Sequence, residues 1–347
     1  MDDAQFEVLK AAIANELTAA QCVELEGVVR EVSSRRVGET TLLLRTEALD
    51  GDRVCPRCGN TRIVKNGLDH LGRQRFRCVK HDDDEEERCG RGFNVLTGTP
   101  FARMRKPEKW LAYARLMMRS ASITDIHESG IGISRLTAWR WRHRFLALPT
   151  TLQAERLDGI IEVDETYFRS SYKGSRAWKE GRPPENRPPR YRGGPAKRRG
   201  LSREQIPVLT AVDRSGGVVE GVMMRRAASV ARTMLLGRIA EGAVPCSDGW
   251  AAYPQIAEAC GADHRLVEAP RDDWLVRALG TGPRRPGRMG LGRINAHHER
   301  LKAFMNIVLR GVSTKYLPAY LGWLRFRRQP GFSPEALIRQ PLLPQAG

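Results

Sequence analysis

The sequence predicts a multi-domain protein in which helical and cysteine-rich modules precede an α/β domain built on a mixed sheet. Three observations carry this expectation. The chain has 347 residues, enough for two or three domains of about 100–200 residues each. Four of its seven cysteines bunch at Cys55, Cys58, Cys78 and Cys89. From Leu157 onward, short β-branched runs alternate with helical patterns, as they do when strands and helices share one sheet. Hydrophobic residues make up 41% of the chain, which supports real cores and excludes wholesale disorder. No apolar run approaches the roughly 20 residues of a membrane span. The start, Met1-Asp2-Asp3, is acidic rather than a basic leader, so a cytoplasmic chain is expected. Lys and Arg number 58 against 40 Asp and Glu, a formal charge of +18. Such an excess points to a polyanionic partner, nucleic acid first among them, and gives a nucleoid-associated location as the expectation.

Residues 1–50 read as an N-terminal helical segment. Leu9, Ile13, Leu17, Cys22, Leu25 and Val28 recur near the 3.6-residue period from Phe6 to about Val32, and Thr40 to Leu44 reads as a short strand. Residues 51–100 carry the cysteines. In Cys55-Pro-Arg-Cys58 the two-residue spacing lets two thiolates on one turn grip a tetrahedral ion, and Gly59 follows where the backbone must fold back. An odd cysteine count without a secretion signal argues against a disulfide framework. The third ligand is Cys78. For the fourth, Cys89 is preferred over His81, because Cys89-Gly followed by Arg-Gly-Phe repeats the knuckle pattern, and the acidic run Asp82 to Glu87 becomes an excursion. Four protein ligands leave no open position, so a Zn²⁺ ion would fold this zinc ribbon and do no chemistry.

Residues 101–150 read as helices. Trp110, Tyr113, Leu116 and Met117 form one apolar face. Ser122 through Phe145 then has the pattern of a helix-turn-helix: Ser122 or Thr124 caps the first helix, Gly130 and Gly132 turn the chain, and Ser134 caps the second. That second helix carries Arg135, Thr137, Arg140, Arg142 and Arg144, a set suited to a DNA major groove. Trp139 and Trp141 between them leave open a hairpin that packs internally.

The domain at residues 157–330 has strand patterns at Ile160–Val163, Pro207–Val212, Val218–Met223 and Val244–Cys246, with Val230–Ala240 between the last two. A basic, proline-broken insertion at about 170–205 has no hydrophobic period and reads as a flexible loop, as does Gly280 to Arg293. Two of the strands end in carboxylates, at Asp164 and at Asp248. Neighbouring strand tips of this kind hold hard Mg²⁺ ions, and a pair of ions about 3.5–4 Å apart suits in-line phosphoryl displacement. Glu162 shares a strand face with Asp164 while Glu165 takes the other, so both are expected to support the site rather than form it.

Taken together, Cys-Pro-x-Cys-Gly, Gly98-Thr-Pro-Phe101, Val163-Asp-Glu-Thr166, Ser247-Asp-Gly249 and Lys315-Tyr-Leu-Pro-Ala-Tyr320 resemble the zinc-ribbon insertion-sequence transposases of the ISXO type, relatives of Merlin elements, over roughly residues 50–330. The resemblance implies an RNase H-like, retroviral-integrase-like catalytic domain. It also implies a metal triad whose third position is Glu, Asn or His, with a lysine seven residues later. Asn295 and Lys302 fit that spacing, which is two helical turns with a drift of only about 20°; His298 and Glu299 are the alternatives. The implied protein is a DNA transposase that binds terminal inverted repeats and target DNA as a homo-oligomer. Mg²⁺ or Mn²⁺ held by Asp164, Asp248 and Asn295 would serve strand cleavage and strand transfer, with Lys302 on a phosphate. The alternative is a catalytically inactive, transposase-derived DNA-binding regulator.

Overall fold

The computed structural model describes residues 2–52, 54–70, 72–79, 89–151, 153–175, 202, 204–267, 290–329 and 331–339. His81, the acidic run after it, most of the basic insertion and most of the Gly280–Arg293 stretch lie outside these. The chain forms two compact units, Met1–Leu148 with Pro330–Gly347, and Pro149–Gln329.

The first unit begins with α1 (Asp3–Asn15) and α2 (Ala19–Asp52). Asp2 and Gln5 close a capping box at the start of α1. Thr18 and Gln21 exchange hydrogen bonds just ahead of α2, so the helical pattern from Phe6 is two helices rather than one. The strand expected at Thr40 to Leu44 is corrected: these residues lie inside α2. Thr41 Oγ1 donates to the Val37 carbonyl at 2.6 Å and Thr46 Oγ1 to Leu42 at 2.9 Å, which satisfies the hydroxyls within the helix. Thr41 and Leu49 are buried where α2 packs on the helix at Trp110–Met118, and that packing overrides local strand propensity.

The cysteine module follows as β1 (Ile63–Leu68), β2 (Gln74–Cys78) and β3 (Gly92–Asn94), antiparallel in that order. Phe76 and Phe93 stack across β2 and β3 with ring centroids 5.6 Å apart. Beyond it, α3 (Trp110–Met118), α4 (Ile123–Glu128) and α5 (Arg135–Ala147) close on an aromatic core. Phe101 stacks on Trp110 at 4.8 Å and meets Phe145 edge-on at 5.3 Å. The C-terminal helix Pro334–Arg339 belongs to the same unit, tied to α3 by Arg115–Glu335 at 3.0 Å.

The second unit is built on β4 (Ile160–Arg169), β5 (Gln205–Asp213), β6 (Val218–Val222), β7 (Val244–Ser247) and β8 (Arg265–Leu266), in the order β6-β5-β4-β7-β8. The first three pair antiparallel, and β7 and β8 run parallel to β4, which is the mixed sheet the sequence predicts. Two helices, α6 (Ala228–Leu235) and α7 (Ala252–Ala259), cover one face, where Ile161, Val163, Leu209 and Val219 pack against Leu235, Tyr253 and Ile256. The next helices, α8 (Gly292–Lys302) and α9 (Leu317–Phe326), pack against the sheet from its β4, β5 and β6 strands. Strand alternation on β4 thus sends Ile161 and Val163 to the α6–α7 core and Glu162 and Asp164 toward α8. A buried latch fixes α8 and α9. Glu220 of β6 accepts from Arg325 at 2.6 Å and pairs with His297 Nε2 at 2.9 Å, while Arg328 donates to His297 Nδ1 at 3.0 Å. With Nδ1 accepting, the His297 proton sits on Nε2. Among the described residues no helix is long and apolar enough to cross a membrane.

Candidate active site

The strand expected to end at Asp164 is corrected: β4 runs on to Arg169, held by its pairing with β5, so Asp164 lies mid-strand. Asp248 directly follows the last residue of β7, the parallel neighbour of β4. Ile160 lies opposite Val244 and Glu162 opposite Cys246, a constant offset of 84 that Asp164 and Asp248 share. Asp164 is largely covered, with a fifth of its side chain exposed, whereas Asp248 is exposed just past the end of β7. Burial pushes the Asp164 carboxyl up to about 6, and the charges of Asp248 and Glu165 add to the rise against the opposing pull of Arg226. The Ser247 hydroxyl, 2.9 Å from His264 Nε2, fixes the strand end that presents Asp248.

The three carboxylates of β4 have different partners. Buried Glu162 accepts from the backbone N–H groups of Arg293 at 2.8 Å and Ile294 at 2.9 Å, and pairs with Arg214 at 2.9 Å. It thereby caps α8, whose own preceding residue, Leu291, offers no capping side chain. Glu165 accepts from the Tyr253 hydroxyl at 2.6 Å and pairs with Arg226 at 3.0 Å; the Arg226 guanidinium also lies over the Trp250 ring at 4.3 Å. Among these three, Asp164 is the one with no arginine partner among the described residues. Sequence reasoning placed Glu162 and Glu165 beside the site but missed Arg214, Arg226, Tyr253 and the α8 amides. Nothing local in the sequence signals these distant partners.

On α8, His298 is the side chain that reaches Asp164, with Nδ1 3.7 Å from Oδ2. Burial lowers its pKa to about 3, with His297 and Lys302 adding, so the ring is neutral at ordinary pH. Its Nε2 is buried without a hydrogen-bond partner. A neutral imidazole 3.7 Å from one carboxylate is a group that can share a divalent cation with it, although Asp164, Asp248 and His298 are not gathered as tightly as the four cysteine sulfurs. Asn295 and Glu299 are both exposed, and Lys302 is exposed at the end of the same helix.

The cysteine cluster assembles as its spacing predicts. Cys55, Cys58, Cys78 and Cys89 place their sulfurs within 4.8 Å of one another. Cys55 and Cys89 are 3.6 Å apart, and Cys58 and Cys78 are 3.7 Å apart. Disulfides would sit near 2.05 Å; the edge of a tetrahedron with metal–sulfur bonds of ~2.3 Å is about 3.8 Å. Backbone amides of Cys89 and Asn60 bring the Cys58 thiol down to about 6, while burial pushes Cys78 up to about 12 and raises Cys55. A cation at the centre is what would let all four exist as thiolates together.

In the helix pair, Ser122 and Asp125 form a capping box on α4, Gly130 and Gly132 turn with φ of 80° and 68°, and Ser134 caps α5 by accepting from Thr137 N–H. Trp141 is buried and Trp139 is exposed. The five candidate contact residues divide. Arg135 and Arg140 are exposed, although Arg135 leans on Glu128 at 3.5 Å. Thr137 lies at the capped first turn. Arg142 donates inward to the Ala121 carbonyl, and Arg144 donates to Pro100 at 3.3 Å.

No curated relative matches the chain. Among solved structures, a chain from the cryo-EM structure of the simian T-cell lymphotropic virus intasome in complex with PP2A regulatory subunit B56 gamma is 14% identical. That match covers 68% of this chain and 75% of the other at a TM-score of 0.27, too low to say anything of this fold. The model of the ISXO2-like transposase domain matches residues 156–329. That match takes in half the chain, including Asp164, Asp248 and α8, and the protein belongs to the ISXO2-like transposase family.

Proposed function

We propose that this transposase is a divalent-metal-dependent enzyme that cleaves DNA at terminal inverted repeats and joins the freed strand ends to target DNA. The observation that carries the reading is a neutral His298 on α8 3.7 Å from Asp164 of β4, with Asp248 directly after β7, the strand paired parallel to β4. These residues fit Mg²⁺ or Mn²⁺, which when bound would stabilise phosphoryl charge and ease deprotonation of the attacking oxygen. Asp164 and Asp248 supply the hard oxygens. The approach to Asp164 and the unpartnered Nε2 support His298 as the third ligand over Asn295, one turn earlier on the same helix. Lys302, close enough to His298 to lower its pKa, offers a positive charge to a phosphate flanking the reacting one. The strand order, three antiparallel strands followed by two parallel to the first, supports the RNase H-like reading of this unit.

In the other unit, the four-sulfur cluster is a structural Zn²⁺ site closed to substrate, and α5 with exposed Arg135 and Arg140 is the DNA-reading helix. Bringing two element ends together requires at least a dimer on DNA. The test is to incubate the full-length protein with labelled terminal repeats, Mg²⁺ and a target plasmid. Joined product that disappears in Asp164→Ala and Asp248→Ala is the expected result. Repeat binding with no cleavage by the wild type, and indifference to both substitutions, would instead establish a DNA-binding regulator.

A further inference from the structure

A second concavity, of about 1280 Å³, opens in the same unit at the far end of β4. It exceeds the ~300–1,000 Å³ of small-molecule pockets. Its walls combine two chemistries. Tyr167, Tyr172 and Trp250 supply aromatic surface, and Arg225, Arg226 and Lys315 supply positive charge. Among the described residues no carboxylate lines it. Arg225 and Tyr172 are exposed, whereas Arg226 is committed to Glu165 and Trp250.

The cleft is built rather than incidental. The end of β4 is stitched to the segment before α9: Thr314 N–H donates to the Ser171 carbonyl and Ser171 N–H donates to Thr314 Oγ1, both at 2.8 Å. Lys173 Nζ donates to the Gly311 carbonyl at 2.8 Å and closes the same wall. The cleft reaches the Asp248 end of the sheet, since Trp250, two residues after Asp248, lines it and carries Arg226, which pairs with Glu165 next to Asp164 on β4.

We infer that this cleft receives unpaired nucleotides of the DNA strand that runs into the Asp164–Asp248 site, with bases against Tyr172 and phosphates at Arg225 and Lys315. Aromatic faces beside a cationic track are the chemistry of single-strand binding, because every base has a π-face and every nucleotide a phosphate. The inference rests on the nuclease reading of the aspartates, since it is their position that gives the strand its direction.

The experiment uses the full-length protein without added Mg²⁺ and a fluorescein-labelled oligothymidylate, followed by anisotropy, with a blunt terminal-repeat duplex in parallel. Tyr172→Ala is expected to weaken oligothymidylate binding about tenfold. Arg225→Gln is expected to flatten the slope of log Kobs against log salt by about 0.7. Both side chains are exposed, so folding is preserved, and both variants should bind the duplex as the wild type does. A 2-aminopurine in the unpaired flank should be quenched by the wild type and not by Tyr172→Ala. Oligothymidylate binding that is absent in the wild type, or unchanged in both variants, overturns the cleft. Strand cleavage that survives in Asp164→Asn overturns the nuclease reading instead, and the two failures are read in separate assays.

Discussion

The Asp164 carboxyl, held near 6 mainly by burial, carries a pH signature. Its ordinary value is 3.8, so the folded metal-free protein favours the protonated acid. The associated stability is fully present below pH about 4 and is lost as pH rises through 6. Asp164→Asn should therefore raise the metal-free melting temperature at pH 8, by about 2–4 °C for each kcal/mol relieved, with little change at pH 4, while abolishing cleavage. Calorimetry across that range checks the sign, and a drop at pH 8 would contradict it. A second prediction concerns α8. His298→Ala should slow single-turnover cleavage by at least about 100-fold, some 2.7 kcal/mol of barrier, whereas Asn295→Ala should stay within a few-fold. The sequence made this choice hard for a physical reason. Residues 295, 298 and 302 are three and four apart and share one helix face, so periodicity admits both Asn295 and His298. His298 is the one whose ring approaches Asp164 of β4. Likewise Arg142 and Arg144 look equivalent to Arg135 and Arg140 along α5 until their carbonyl partners at Ala121 and Pro100 are seen.

Among the elements, α8 owes its position to a cap it does not encode. Glu162→Ala would strip two amides of their acceptor and leave Arg214 without its carboxylate. It should lower unfolding stability by about 3 kcal/mol in urea titrations. Glu162→Gln keeps an acceptor for the amides and should cost less than half as much. The cysteine module makes a different prediction. Cys58→Ser should lose bound zinc, measured by atomic absorption, and the sheet at Ile63–Asn94 should lose its protection from hydrogen exchange, because a module this small is held by its metal. That module was legible from Cys-x-x-Cys alone, since two thiolates on one turn have few other uses. The strands of the α/β unit were legible from their β-branched runs. The helix through Thr40–Leu44 was not, because β-branched residues with threonines satisfy strand and helix alike until a packing surface decides between them.

At the scale of the whole molecule, a charge of +18 makes DNA affinity a strong function of salt. A protein neutralising about six phosphates should show a slope of log Kobs against log salt near −5. A flat dependence would place binding outside the electrostatic regime that the composition implies. Charge and motif order made the class of the protein readable from its sequence. They left unread the assignments that depend on distant residues, such as Glu162 with Arg293, 131 positions away, or Glu165 with Tyr253, 88 positions away, because such partnerships exist only after folding. That separation has an engineering consequence. Since α8 is pinned to β4 through its first turn, the stretch of chain between positions 267 and 290 is not what sets the distance from His298 to Asp164. A reporter protein or affinity handle spliced in there should leave the reaction centre undisturbed.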